Sequence, residues 1–201
     1  MKVTKEKVAA HRAAIVAAAA RLFRERGFAG VGVAEIMQAA GLTHGGFYGH
    51  FASKEALAAE ACGLAFAESL ARLPPPDRAV DALAAYLDAY LSALHRDHAE
   101  AGCPMPALAT EIARQAEPLQ TTFGRGVAAF VDALTARLPG GDAAECRARA
   151  IATLAAMVGA MALARATAVS APALSAEILA ATQAQLHRLT AAGAAQAADL
   201  P

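Results

Sequence analysis

The sequence predicts an all-α fold, and three observations carry that prediction. Hydrophobic residues make up 57% of the 201 positions, and alanine, the strongest helix former, supplies much of that share. No stretch alternates β-branched and aromatic residues with polar ones in the way strands do. Glycines and prolines punctuate apolar runs of helical period, at Gly27–Gly32, Gly41, Pro74–Pro76, Gly102–Pro106 and Pro139–Gly141. About nine helices fit between these marks.

Thr4 can cap a first helix over about residues 5–26, with Glu6 near its positive end. Val8, Ile15, Ala19, Leu22 and Phe23 form its apolar stripe, Gly27 ends it and Phe28 packs back. Gly30-Val31-Gly32 leads into a short second helix whose stripe is Val33, Ile36, Met37 and Ala40. Gly41 can take positive φ and stop that helix cheaply, Leu42 fills the gap, and Thr43 is a good N-cap for a third. This is the pattern of a helix-turn-helix. The third helix is very short and offers His44, Gly45 and Gly46 outward. Two glycines in a first turn weaken a helix by roughly 1 kcal/mol each relative to alanine, so stability does not account for them. Absent side chains let the backbone approach a bulky partner, which suits a helix in the major groove of DNA. Phe23, Phe28, Ile36, Leu42, Phe47 and Phe51 are the expected core of this compact three-helix unit.

A fourth helix opens at Ser53, with Glu55 in its first turn, and runs to about Arg72 as a link to the rest of the chain. Leu73-Pro74-Pro75-Pro76 stops it. The spacing of Val80, Leu83, Leu87, Leu91 and Leu94 predicts one helix over about residues 77–98. After the break at residues 101–106 comes a shorter helix to about Gln115. Pro118 opens another that reaches Leu138, with Leu119, Phe123, Val127, Phe130, Val131 and Leu134 inward. Asp142 caps the next, which extends to about Thr167 and is apolar all round between Ala150 and Ala164, so it must be buried on several sides. After Pro172 a last amphipathic helix covers about residues 174–189, and residues 192–201 are expected to fray.

The formal net charge is zero, but it is unevenly distributed. Residues 1–55 hold eight lysines and arginines against four glutamates, and the remainder holds ten bases against fourteen acids. A basic N-terminal domain on an acidic body is what an electrostatic footprint on DNA requires. Cys62, Cys103 and Cys146 are far apart, odd in number and not in metal-ligand spacing. The start lacks an apolar signal core, and the charge-free run from Ala150 to Ala164 is shorter than the ~20 residues of a membrane span. A soluble, cytoplasmic protein is expected.

The run GLTHGGFYGHFASKEAL, about 20 residues after AARLFRERGFAG, resembles the DNA-binding domain of the TetR family of bacterial transcriptional regulators, over roughly residues 5–60. The resemblance implies a helix-turn-helix DNA-binding domain over residues 1–52. It also implies a helical effector-binding and dimerisation domain over residues 53–201, whose last two long helices pair with those of a second copy in a four-helix bundle. Ala152, Ala155, Ala156, Gly159 and Ala160 would permit the close helix approach that this requires; a monomer burying the same helix internally is the alternative. By the family pattern, Thr43, His44, Gly45, Gly46, Tyr48, His50 and Lys54 contact double-stranded DNA. The Thr43 and Tyr48 hydroxyls and the Lys54 charge go to phosphates, and His44 goes to a base edge. Val33 stands where many relatives carry a phosphate-binding threonine. Phe47 and Phe51 read as core, and His50 reads equally as an ordinary surface histidine. The resemblance also implies an effector pocket, with Phe66, Tyr86, Tyr90, Cys103, Met105, Phe123, Phe130, Met157 and Met161 as candidate lining; no dominant charge lines this set, which favours a small or medium, mostly apolar effector, and aromatic and methionine residues at helical spacing serve equally as plain core. The implied function is a ligand-responsive regulator, most simply a repressor released from its operator by the effector.

Rival classes have less in the sequence. Cys103, at the Gly102-Cys103-Pro104 break, could act as a thiol sensor of electrophiles or oxidants if His95, Arg96 or His98 lowered its pKa, or could be a buried inert thiol. His95 and His98 with Cys103 only loosely resemble a metal site and lack a further ligand, so no metal or cofactor is expected. No phosphate-binding glycine loop, Gly-x-Ser-x-Gly, His-Glu-x-x-His or convincing acid–base pair supports an enzyme.

Overall fold

The computed structural model describes residues 4–76 and 80–198, with side chains for all of these but 80, 81 and 191–198. Among the described residues there is no strand. The α-helices are α1 (Lys5–Arg26), α2 (Val33–Ala39), α3 (Lys54–Leu70), α4 (Val80–Tyr90), α5 (Ala93–Asp97), α6 (Pro104–Ile112), α7 (Glu117–Thr135), α8 (Ala143–Thr167) and α9 (Pro172–Ala198). Two 3-10 helices, His44–Gly49 and Ala99–Ala101, complete the elements. The all-α expectation holds. The chain forms two compact units, one of residues 1–68 and 99–126 and one of residues 69–98 and 127–201.

In the first unit, Thr4 caps α1 by accepting from the Lys7 amide, and Gly27 closes it at φ 73°. Phe23 and Phe28 pack with ring centroids 5.1 Å apart. With Ile15, Leu22, Ile36, Met37, Phe47, Phe51 and Leu57 they are buried. Two expected core residues differ. Val8 is 40% exposed, in first turns of α1 that are exposed throughout residues 5–10, and Leu42 is only half-buried. Ser53 caps α3, its hydroxyl accepting from the Ala56 amide. The Arg24 guanidinium is buried beneath the same core and donates to Glu68 of α3 at 3.0 Å and to the Gly102 carbonyl at 3.2 Å.

The second unit pairs α8 with α9 and α4 with α9. The single helix expected over residues 77–98 is interrupted, and residues 77–79 lie outside the described ones. Ser92 causes the break: its hydroxyl donates to the Ala89 carbonyl at 2.8 Å and accepts from the His95 amide, so it ends α4 and caps α5. Arg165 of α8 donates to the carbonyls of His95 and Arg96 at 2.7 and 3.1 Å, taking up acceptors that so short a helix leaves open. Asp142 and Glu145 form a full capping box at the start of α8. The last helix does not fray at residue 192 but continues to Ala198.

His95 gives this unit a pH dependence. Its Nδ1 donates to the Tyr90 carbonyl at 2.7 Å and its ring meets Tyr90 edge-on, 4.5 Å between centroids. Burial pushes its pKa down to about 4, with the nearby Arg165 and Arg72 charges adding to the shift against the raising effect of the Tyr90 bond. The folded state therefore keeps the ring neutral while the unfolded chain takes up a proton below about pH 6.5. Stability is full above that value and is lost as pH falls toward 4. The urea midpoint is expected to drop through this window and to drop less in His95→Gln; equal slopes would place the acid lability elsewhere.

By length and composition alone α8 is apolar enough to cross a membrane, although its charge-free run is short of that length. Its burial is one-sided. Ala150, Leu154, Met157, Met161 and Ala164 face inward, while Ile151, Ala152, Ala155, Gly159 and Leu163 are exposed, Ile151 at 49% and Leu163 at 58%. The expectation of burial on several sides is not met within one chain. Leu174 of α9 is likewise 46% exposed.

Candidate nucleic-acid interface

Helix α2 ends where Gly41 turns the chain at φ 71°, with the Gly41 amide donating to the Gln38 carbonyl and the Leu42 amide to that of Met37, both at 2.9 Å. The segment that follows, His44–Gly49, is 3-10 rather than α-helical, as suits a six-residue stretch with three glycines. Thr43 sits at the N-cap position, yet its side chain makes no capping bond. The exposed hydroxyl is therefore not committed to the helix. His44, Gly45 and Gly46 are exposed beside it, and Tyr48 is 73% exposed with its ring edge on Phe47. Phe47 is fully buried and stacks on Phe51 at 5.8 Å, which assigns both to the core. His50 is half-buried with its ring 6.3 Å from that of His11.

The glycines here are not required by the fold. Gly45, Gly46 and Gly49 are absent from the positive-φ residues of the described chain. A Cβ added at Gly45 or Gly49 would meet nothing within 4 Å, and at Gly46 only Met37 Cε at 3.6 Å. Neither backbone conformation nor packing excludes alanine at these positions.

The charge picture changes with the structure. All four arginines of α1 have carboxylate partners: Arg12 with Glu60 through bonds of 2.5 and 2.7 Å, Arg21 with Glu25 at 3.9 Å, Arg24 with Glu68, and Arg26 with Glu35. Lys54 donates to the Phe28 carbonyl at 2.6 Å, so one of its three protons is already used. The first unit as folded holds ten bases and nine acids, because it includes Glu60, Glu68 and the 99–126 segment. The basic bias seen in residues 1–55 largely disappears from the unit as a whole.

Residues 15–61 match the profile "Bacterial regulatory proteins, tetR family", and residues 79–178 match "Transcriptional regulator LmrA/YxaF-like, C-terminal domain". The chain belongs to the TetR family. No curated protein matches it. The reduced form of NemR from E. coli is similar in fold, at 22% identity over 88% of this chain and 94% of that one, with a TM-score of 0.72. A TetR-family regulator from Agrobacterium tumefaciens is similar at 23% identity, covering 91% of this chain and 99% of its own, TM-score 0.70. One from Chloroflexus aurantiacus reaches 28% identity, 90% and 94% coverage, and a TM-score of 0.67. The chain is thus a DNA-binding transcriptional regulator of the TetR type, a family whose members bind operators and usually act as dimers.

The effector candidates of this TetR-family chain fall into two groups. Phe66, Cys103, Met105 and Phe123 are buried in the first unit, where Phe66 meets Phe123 edge-on at 5.2 Å. Gly126 makes room for that ring, since a Cβ there would fall 2.4 Å from it. Tyr86, Tyr90, Phe130, Met157 and Met161 belong to the second unit, all buried but the half-buried Tyr86. A cleft of about 170 Å³ in the first unit is lined by other residues, among them Phe28, Lys54, Ala58, Gln115 and Leu119. The sequence missed these because they come from separate stretches of the chain, around residues 28, 54–58 and 115–119.

Cys103 is 3% exposed at the N-cap of α6. A sensing thiol has to be reached by its reagent, and Cys103 is almost fully covered. His95, invoked from sequence as an activating charge, is neutral at pH 7. Among the described residues no cluster of three or more histidine, cysteine, aspartate or glutamate side chains could hold a metal ion.

Proposed function

We propose that this TetR-family protein is a homodimeric, cytoplasmic repressor that leaves its operator when a small, mostly apolar effector binds. Residues 1–52 read DNA, and residues 53–201 bind the effector and dimerise. Two recognition segments enter successive major grooves about 34–36 Å apart, and the effector, by preferring the state with a different separation, loses both sets of contacts together. Thr43 and Tyr48 hold phosphates, His44 reads a base edge, and His50 and Lys54 flank them. The effector is taken up either among Phe66, Cys103, Met105 and Phe123 of the first unit or among Tyr86, Tyr90, Phe130, Met157 and Met161 of the second. The observation that carries the reading is the run of exposed glycines at 45, 46 and 49 that the fold itself does not need. Closeness to a groove wall accounts for them.

The test sets stability against binding. Gly45→Ala and Gly46→Ala are expected to raise stability by about 0.5–1 kcal/mol each. Both are nevertheless expected to weaken binding to a selected operator duplex by about tenfold or more, as each added methyl keeps the backbone from the groove. His44→Ala in the same titration relaxes base preference rather than overall affinity. Variants that are both more stable and bind as tightly would remove the groove from the explanation of these glycines.

A further inference from the structure

Phe28 lies in the turn between α1 and α2, and both polar groups of its backbone are held by charged side chains. Its N–H donates to Glu111 Oε2 of α6 at 3.0 Å, while Lys54 Nζ of α3 donates to its carbonyl at 2.6 Å. Gly27 makes the first bond possible. It sits at φ +73°, and a Cβ there would stand 2.1 Å from Glu111 Oε1. The same stretch of chain is tied to α1 a second time, just before α6, by the Arg24 bond to the Gly102 carbonyl. α6 is therefore fastened to the end of α1 on both sides, although neither tie touches the recognition segment. Losing the Glu111 carboxylate would take from the Phe28 N–H its part-buried side-chain acceptor and free the turn from which α2 departs.

We propose that Glu111 is a positioning residue for DNA reading, which locks the α1–α2 turn from α6. The inference rests on the DNA-binding reading above and adds to it a point at which α6 controls that binding. When the turn is unlocked, only a fraction of molecules presents α2 and the recognition segment correctly, and the apparent dissociation constant rises by the inverse of that fraction. The sign separates this from simple electrostatics. Deleting a carboxylate from a DNA-binding unit strengthens attraction to phosphates; deleting a lock weakens binding.

The experiment compares the full-length wild type with Glu111→Gln and Glu111→Leu. The probe is a duplex enriched by the wild type from a random-sequence library, titrated by fluorescence anisotropy. Thermal melts and hydrogen exchange of residues 27–33 and 104–112 are recorded alongside. Glu111→Leu is expected to bind about tenfold more weakly, and Glu111→Gln, whose amide oxygen still accepts from Phe28, within about threefold of wild type. By reciprocity, the duplex is expected to slow exchange over residues 104–112 in the wild type and not in Glu111→Leu. Glu111→Leu binding as tightly as the wild type, or more so, overturns the proposal. Wild-type exchange over 104–112 that ignores the duplex does the same, and this second readout decides the matter if Glu111→Leu does not fold. A wild type that enriches no duplex overturns the DNA-binding reading and this inference with it, whereas intact wild-type binding with an indifferent Glu111→Leu overturns this inference alone.

Discussion

Leu163→Glu combined with Ala155→Glu is expected to yield a folded monomer of about 20.4 kDa that has lost operator binding. Both positions are exposed on α8, in one stripe with Ile151, Ala152 and Gly159. An exposed apolar stripe of this kind, with small residues that let backbones come close, is the surface expected to pair with a second copy. Two buried glutamates facing their own copies would have to lose their hydration without gaining a partner. The effect on DNA follows from linkage of half-sites. A dimer's second recognition segment binds at an effective concentration set by the first, which contributes about 10²–10⁴-fold in avidity. A monomer forfeits that factor even though every groove contact remains. Light scattering reads the mass, circular dichroism the retained helix, and anisotropy the lost affinity. A double variant that stays dimeric would move the interface to another face.

Phe47→Ala is the second large effect. This ring is fully buried, stacks on Phe51 and supports Tyr48 from beneath. Truncating a buried phenylalanine costs about 3–5 kcal/mol, of the order of a small unit's whole stability. The recognition segment is only six residues long, and this ring anchors it to the core. The variant is expected to lose selective DNA binding at 25 °C and to show an early thermal transition. The α8–α9 pair, in the other unit, keeps its helical signal. A single unshifted melt would show that Phe47 is less central than its burial indicates.

What the sequence made legible depended on how local the cause was. The Thr4 and Asp142 caps and the Gly41 turn are decided within four residues, and all were readable; the Glu145 half of the capping box was not read. The break at Ser92 was not. Leu83, Leu87, Leu91 and Leu94 keep helical period straight through it, and serine ends a helix only when its hydroxyl finds the right backbone groups. The 3-10 form of residues 44–49 was hidden in the same way, since period is meaningless over so few positions. Partners distant in sequence were invisible: Glu60 for Arg12, Glu68 for Arg24 and Glu111 for Phe28 lie 48, 44 and 83 residues away. The glutamates brought in from beyond residue 55 also erased the charge asymmetry that the first 55 residues suggested. The apolar circumference of α8 was read correctly as composition, but composition cannot say whether the same chain or another copy supplies the cover.

The pairing of the four α1 arginines also bears on how an operator is bound. A duplex approaching Arg12, Arg21 or Arg26 meets guanidinium groups that already have a carboxylate neighbour, and the Arg24 guanidinium is buried. These four side chains are accordingly expected to free few condensed cations from the phosphates, so the salt dependence of operator binding is expected to be shallow for each protomer that lands.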